Sequence, residues 1–205
     1  MVFRTPFFIP WIYPTLIWRI PTVAKEIFLT FDDGPVAGPT EFVLDTLKQN
    51  DCKATFFSIG DNVKKHPEVH QRILHEGHLQ GNHTFNHLKG WSYGDEEYLS
   101  NIEKCDEALG FNSQFFRPPY GRIKKSQIKK LTQYRIVMWD VLTSDYVHSL
   151  SPESCLKGSI DGTRPGSIVV FHDSLKAERN MTYALPRYIE HFLNQGFTFK
   201  SIPTT

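Results

Sequence analysis

The sequence predicts an α/β fold, a single-domain distorted (β/α) barrel of about seven parallel strands. Three observations carry this reading. After Pro21, short β-branched and aromatic runs take turns with helix-length amphipathic segments. Parallel neighbours need crossover helices, so alternation throughout a chain means a parallel sheet, and about seven units favour a closed or nearly closed barrel over an open sheet. Finally, 205 residues suffice for one sizeable core, and no Ser/Gly-rich linker or internal repeat divides them.

Residues 1–23 precede the alternation. They are apolar and aromatic, but Pro6, Pro10, Pro14 and Pro21 interrupt them and Arg4 and Arg19 flank the richest part. No run reaches the roughly 20 apolar residues of a membrane span. A basic start, a continuous apolar centre and a small-residue cleavage site are also missing, so a signal peptide is not expected and a cytoplasmic location is. The stretch reads as an arm packed across the domain, with a peripheral membrane foot as the alternative. Residues 24–205 are expected to form the domain itself.

Within it, strands are expected over 26–31, 53–58, 78–81, 114–117, 134–141, 167–171 and 197–200. Helices are expected near 39–50, 61–76, 94–109, 124–132, 152–161 and 181–195. Gly77, Gly110 and Gly196 each follow an apolar-periodic segment, where glycine accepts the left-handed conformation that ends a helix. Pro67 splits the segment 61–76 into a short turn and a longer helix that begins at the proline.

Composition narrows the function. With 23 Lys+Arg against 22 Asp+Glu the net charge is +1, which removes any global electrostatic case for nucleic acid or an anionic membrane. Cys52, Cys105 and Cys155 are odd in number and lack CxxC spacing, so they read as small core or helix residues rather than disulfides or a thiolate metal site. Oligomeric state is not legible.

The chemistry begins at Asp32-Asp33, two carboxylates closing the apolar run Ile27 to Phe31. Adjacent ionised carboxylates repel and lose water at a strand end, and a cation between them would resolve the conflict. In a parallel barrel the C-terminal strand ends share one face, where sites are built. That face gathers Asp32-Asp33, Asn82 to His87, Pro118 to Gly121, Thr143 to Tyr146 and His172-Asp173. His83 and His87, four apart, bring two imidazoles to one side if the segment turns helically. Two imidazoles and one carboxylate make a common open site for a divalent metal. Such an ion would lower the pKa of its water toward about 7 and make it a nucleophile, with the other Asp free to take the proton. His172, closing the apolar run Ser167 to Phe171, suits proton delivery.

Thr30-Phe31-Asp32-Asp33-Gly34-Pro35, His83-Thr84-Phe85-Asn86-His87, Arg117-Pro118-Pro119-Tyr120 and Val170-Phe171-His172-Asp173 occur in this order. Together they resemble the motifs of the polysaccharide deacetylase family (carbohydrate esterase family 4, the NodB homology domain), over roughly residues 24–203. The resemblance implies removal of N- or O-acetyl groups from a sugar through a metal-stabilised tetrahedral intermediate. It makes Asp32 the general base and Asp33, His83 and His87 the ligands of one divalent ion, zinc first, with cobalt, nickel or manganese as alternatives. Arg117 would pair with the base, the Tyr120 backbone N–H would help bind the oxyanion, and His172 would be the catalytic acid.

Two positions depart from the family pattern. Leu142 stands where an Asp usually tunes the catalytic histidine, and Asp140, two residues earlier on the same strand face, is the expected substitute, with Asp173 the other neighbour. Tyr146 replaces a usual tryptophan and is expected to wall the acetyl methyl. Trp91, Tyr93 and Tyr183 are candidates for stacking on sugars, Trp91 foremost, although core or rim packing explains them equally. The charge-dense stretch Arg122 to Lys130 reads as a solvated helix face, with a binding patch for an anionic polymer as the alternative. The expected partner is an acetylated carbohydrate or a small acetylated substrate. The rivals are a hydrolase of non-sugar C–N bonds, such as cyclic imides, ureides or formamides, and a metal-containing carbohydrate-binding module that has lost catalysis.

Overall fold

Strand β1 (Glu26–Asp32) is the middle of the molecule, and its sequence explains why. Its residues from Ile27 onward are buried on both faces, as a continuous apolar run requires of a central parallel strand. The computed structural model describes residues 3–204. Around β1 lie β2 (Thr55–Ser58), β3 (Leu79–Asn82), β4 (Phe115–Phe116), β5 (Arg135–Ile136), β6 (Val141–Leu142), β7 (Ile168–His172) and β8 (Thr198–Lys200). The order across the sheet is β5-β4-β3-β2-β1-β7-β6, with β8 beside the start of β1, and every pairing is parallel.

The expected strand 134–141 is where the structure departs from simple alternation. Its first part, β5, pairs with β4, and its last part, β6, pairs with β7. One segment therefore contributes both edges of the curled sheet. The Val137 N–H still donates to Phe116, and the Asp140 N–H already donates to Ile168. Counted as one segment, this leaves the seven strands expected, curled into a partial barrel.

The crossover elements follow their sequence signals. They are α2 (Pro39–Gln49), α3 (Gly60–Lys65), α4 (Pro67–His75), α5 (Asp95–Leu109), α6 (Lys125–Lys130), α7 (Pro152–Gly162) and α8 (Glu178–Leu193), after a short α1 (Ile9–Ile12) in the arm. The break between α3 and α4 falls at His66, with Pro67 as the first helical residue, where its missing N–H costs nothing. Gly77, Gly110 and Gly196 all take the left-handed conformation, with φ of 74°, 78° and 78°.

The pleat of β1 divides the core in two. Ile27, Leu29 and Phe31 face the helix side with Phe56, Phe171, Leu44, Leu185 and Tyr188, and the Phe31 ring stacks on Phe56 at 5.0 Å. Each such fully buried side chain contributes about 1.5–3 kcal/mol. Phe28 faces the barrel interior with Phe57, Phe115, Val137 and Ile168. Thr30 and Asp32 share that inward parity, which sets the polar floor of the site. All three cysteines are buried and free, as expected of core residues.

The arm crosses the sheet edges. Arg4 bridges Val141, Ile17 bridges Val137, and Arg19 bridges Ser167. No helix among the described residues is long and apolar enough to cross a membrane.

Candidate active site

At the end of β1 the chain turns sharply, with Asp33 at φ 81° and a cis peptide between Gly34 and Pro35. The turn is clamped by Asp173, whose Oδ1 accepts from the Gly34 N–H at 3.0 Å and whose Oδ2 accepts from the Thr40 hydroxyl at 2.7 Å. Burial pushes the Asp173 pKa up to about 8. A Cβ at position 34 would lie 1.9 Å from Asp173 Oδ2, so only glycine admits this approach. Asp173 therefore aims Asp33, and it is not the partner of His172.

Asp32 points inward and meets Arg117, the largest fully buried side chain of the core. The guanidinium donates to Asp32 Oδ1 and Thr30 Oγ1, each at 2.7 Å, and to the carbonyls of Val137 at 3.2 Å and Met138 at 2.8 Å. It also lies 4.1 Å from the centre of the Phe57 ring. Those two carbonyls lie where the segment between β5 and β6 passes from one edge of the sheet to the other. Arg117 thus closes the barrel interior and holds Asp32 with the same group.

Asp33, His83 and His87 come together as expected, with ligand-capable atoms all within 4.8 Å of one another. Asp33 Oδ1 lies 3.1 Å from His87 Nε2 and 3.7 Å from His83 Nε2. The segment 83–87 is not helical, however. Thr84 and His87 take φ of 63° and 57°, and Asn101 Oδ1 accepts from the N–H groups of Phe85 and Asn86, so a pinned loop brings the two rings within 5.1 Å.

His83 Nδ1 lies 2.7 Å from the Arg117 carbonyl, which makes it the donor and leaves Nε2 as a free acceptor toward Asp33. Burial pushes the His83 pKa down to about 4, against the pull of Asp32, so the ring is neutral at neutral pH. Burial works to raise the pKa of Asp33. The hydrogen bond from His87 and the charges of the surrounding histidines outweigh it and hold the carboxyl well below its usual range.

His172 stands opposite Asp32 in the register of β1 and β7. Its partner is Asp145, a residue that the strand-parity argument missed. His172 Nδ1 lies 2.7 Å from Asp145 Oδ1, and the His172 backbone N–H donates to Asp145 Oδ2 at 2.8 Å. Burial favours the neutral ring, but the charge and hydrogen bond of Asp145 dominate and push its pKa up to about 9.

Asp140 does not reach His172. It lies near the N-terminal end of β7, where it accepts from Arg164 at 3.1 and 3.2 Å and from the Ser167 hydroxyl at 2.7 Å. Parity chose the right face but the wrong height, because the ladder partner of Leu142 is Val170, two residues short of His172. Asp145 reaches the histidine from the loop beyond β6, just after Ser144 at φ 58°. The available signal was its position in the run Thr143 to Tyr146 past a strand end.

The remaining candidates divide. Leu142, Trp139, Val170 and Tyr146 form an apolar side of a cleft of about 910 Å3, and the Tyr146 ring meets His172 edge-on at 4.8 Å. Tyr120, at φ 60°, covers His87 with ring centres 4.6 Å apart. The neighbouring N–H groups of Gly121 and Arg122 bond to the carbonyls of Pro118 and Pro119. Tyr93 lines the cleft, but Trp91 does not. Its indole N–H donates to Ile123 and its ring lies beneath the Arg122 guanidinium at 4.4 Å, so Arg122 reaches the cleft in its place. Tyr183 lies on α8 against Arg187. Lys89 and Lys176, which sequence reasoning missed, line the cleft together with Arg122, the first residue of the charge-dense stretch.

A family model described as polysaccharide deacetylase matches residues 19–139. The chain is 36% identical over 191 residues to a peptidoglycan-N-acetylglucosamine deacetylase of Bacillus cereus, covering 90% of this chain and 69% of that protein. It is 32% identical over 204 residues to a chitooligosaccharide deacetylase of Azorhizobium caulinodans, covering 90% and 96%. The crystal structure of the Bc1960 peptidoglycan N-acetylglucosamine deacetylase, in complex with a naphthalenyl N-hydroxybenzamide, superposes with a TM-score of 0.89. That match has 34% identity and covers 98% of this chain and 96% of the other.

Proposed function

The chain belongs to the polysaccharide deacetylase family, and we propose that it hydrolyses the N-acetyl groups of an amino-sugar polymer with the help of one divalent transition metal, zinc first. The observation that carries this reading is one cleft lined by Asp33, His83 and His87 together with Asp32, paired with Arg117, and His172, paired with Asp145. A carbohydrate-binding module has no use for two such supported proton-transfer groups.

The donor set fits the ion. It offers a carboxylate and two imidazoles, and the His83 ring is neutral with its second nitrogen tied to a carbonyl, as ligating histidines usually are. A divalent ion held there supplies Lewis acidity, polarising the acetyl carbonyl and making water easier to deprotonate. Asp32 accepts the proton of the attacking water, with Arg117 fixing its orientation. The Tyr120 N–H donates to the oxygen that becomes negative. Leu142, Trp139 and Tyr146 take the methyl group and keep water from that side. His172, protonated at neutral pH through Asp145, delivers a proton to the departing amine.

Acetate release from acetylated oligosaccharides tests the reading, run beside formyl and cyclic-imide substrates. Metal-loaded enzyme is expected to release acetate, a chelator to abolish release and zinc to restore it, and Asp32→Asn to lower kcat by about 10²–10⁴-fold. Turnover of an imide with no acetate from any sugar would overturn the substrate assignment and keep the chemistry.

The rim suggests the kind of glycan. Arg122 on Trp91 and Lys176, 5.3 Å from the centre of the Tyr146 ring, reach the cleft from the loops after β4 and β7. Apart from Asp32 and Asp33, the lining offers no carboxylate to balance them or Lys89. Carboxylate-bearing glycans such as peptidoglycan fragments should therefore be preferred over neutral chitin oligosaccharides. The variant Arg122→Gln/Lys176→Gln is expected to raise KM for the acidic substrate roughly tenfold and leave the neutral one nearly unchanged. Equal effects on both would remove the charge argument.

A further inference from the structure

Nine large apolar or aromatic side chains are exposed among the described residues, and four of them, Phe7, Phe8, Trp11 and Ile12, fall within one six-residue stretch of the arm. Phe7 and Trp11 are each 77% exposed, and the Phe7 ring meets Phe8 and Trp11 edge-on at 5.9 Å. None of the α1 residues is buried. Concentrated apolar exposure of this kind marks an interaction surface.

The patch is held in place from both sides. Before it, the Thr5 N–H donates to Asp140 and its hydroxyl to Trp139. After it, Leu16 is buried and Ile17 joins the edge of β5.

Next to the patch is a hollow of about 880 Å3, bounded by Phe7, Pro10, Pro14 and Trp18 and by the guanidinium-bearing Arg19, Arg135 and Arg164. Arg164 grips Asp140 with two nitrogens, and Arg4 lies 3.7 Å from the same carboxylate. Arg19 donates to the Pro165 carbonyl, and Arg135 donates to the Pro203 carbonyl. Two guanidinium groups thus sit on the Asp140 carboxylate, while those of Arg19 and Arg135 meet only backbone carbonyls. Burial together with the charges of Arg164 and Arg4 lowers the pKa of Arg19, a crowding that an anion would relieve. The hollow lies at the N-terminal ends of β5 and β7, away from the catalytic cleft at the C-terminal ends.

We propose that this face is a membrane foot: Phe7, Phe8, Trp11 and Ile12 enter the interfacial layer of an anionic bilayer, and the arginine-lined hollow receives a phosphate headgroup. Aromatic rings favour the headgroup level of a bilayer, and guanidinium forks match phosphate oxygens. A second copy of the chain brought to this face would oppose arginines to arginines, and a neutral glycan would offer them no counter-charge. A bilayer supplies both the apolar layer and the anion.

The test is co-sedimentation of the full chain with vesicles of phosphatidylcholine alone and of phosphatidylcholine mixed with phosphatidylglycerol. Binding is expected to the mixed vesicles, to weaken as salt rises, and to fall roughly tenfold in Phe7→Ser/Trp11→Ser and in Arg135→Gln. Unchanged thermal melting of both variants would show that the fold is intact. Brominated lipid should quench tryptophan emission in the wild type and less in the double variant. Equal binding to both vesicle types, or to neither, would overturn the proposal. So would a concentration-dependent dimer that Phe7→Ser/Trp11→Ser abolishes while vesicles leave the protein in solution.

Discussion

Asp145→Asn is expected to lower kcat/KM by about 10²-fold at pH 8 and to move the basic limb of the pH profile toward acid. The sign follows from the site. The charge and hydrogen bond of Asp145 overcome burial and hold the His172 pKa at about 9. A general acid works only while protonated, so activity in the wild type falls as pH rises through that value. Asn keeps the size of the side chain but removes the charge, and burial then acts on a histidine with less opposition. The ring loses its proton at a lower pH, and part of the lost rate returns on acidification. A pH–rate profile of acetate release checks this, with Asp140→Asn as the control. Asp140 is occupied by Arg164 and Ser167 at the other end of the barrel, so its loss should leave the basic limb in place. An unmoved limb in Asp145→Asn would remove the carboxylate from the acid machinery.

Arg117→Met is expected to cost about 3–5 kcal/mol of stability, because it leaves Asp32 buried without a partner. For a domain of this size the melting temperature should fall by about 10 °C. The loss has a second component: Thr30 Oγ1 and the Val137 and Met138 carbonyls lose their donor at the place where the sheet edges meet. Thermal melts of Arg117→Met and of Arg117→Met/Asp32→Asn separate the two. Neutralising Asp32 in the double variant should recover part of the stability while activity stays lost. If it recovers none, the arginine acts through the barrel seam alone and not through the ion pair.

Much of the site was legible in the sequence because its chemistry sits at strand ends. Asp32-Asp33 closes an apolar run and His172 closes another, and in a parallel sheet such positions converge whatever the intervening helices do. The helix boundaries were legible for a similarly local reason, since Gly77, Gly110 and Gly196 answer a backbone requirement that few other residues meet. Lys89 and Lys176 were not, and Arg122 stood out only within a charge-dense stretch, because exposed Lys and Arg side chains occur on every surface. Only the shape of the cleft distinguishes these three from the rest.

The sequence by itself determined the parallel α/β architecture and the gathering of Asp32-Asp33, His83, His87 and His172 at one end of the sheet. Each follows from a local period or from a residue's place at the end of its own element. The tertiary structure alone decided which carboxylate meets His172, since Asp145 and Asp140 differ in height along the barrel rather than in face. It also decided that one segment supplies both edges of the sheet, with Arg117 bonded to the carbonyls at the crossing. Likewise it lifted Phe7 to Ile12 out of the core while burying Leu16 and pairing Ile17 in the same arm. Pairing, height and exposure depend on what other segments place nearby, and periodicity within one segment carries no record of that.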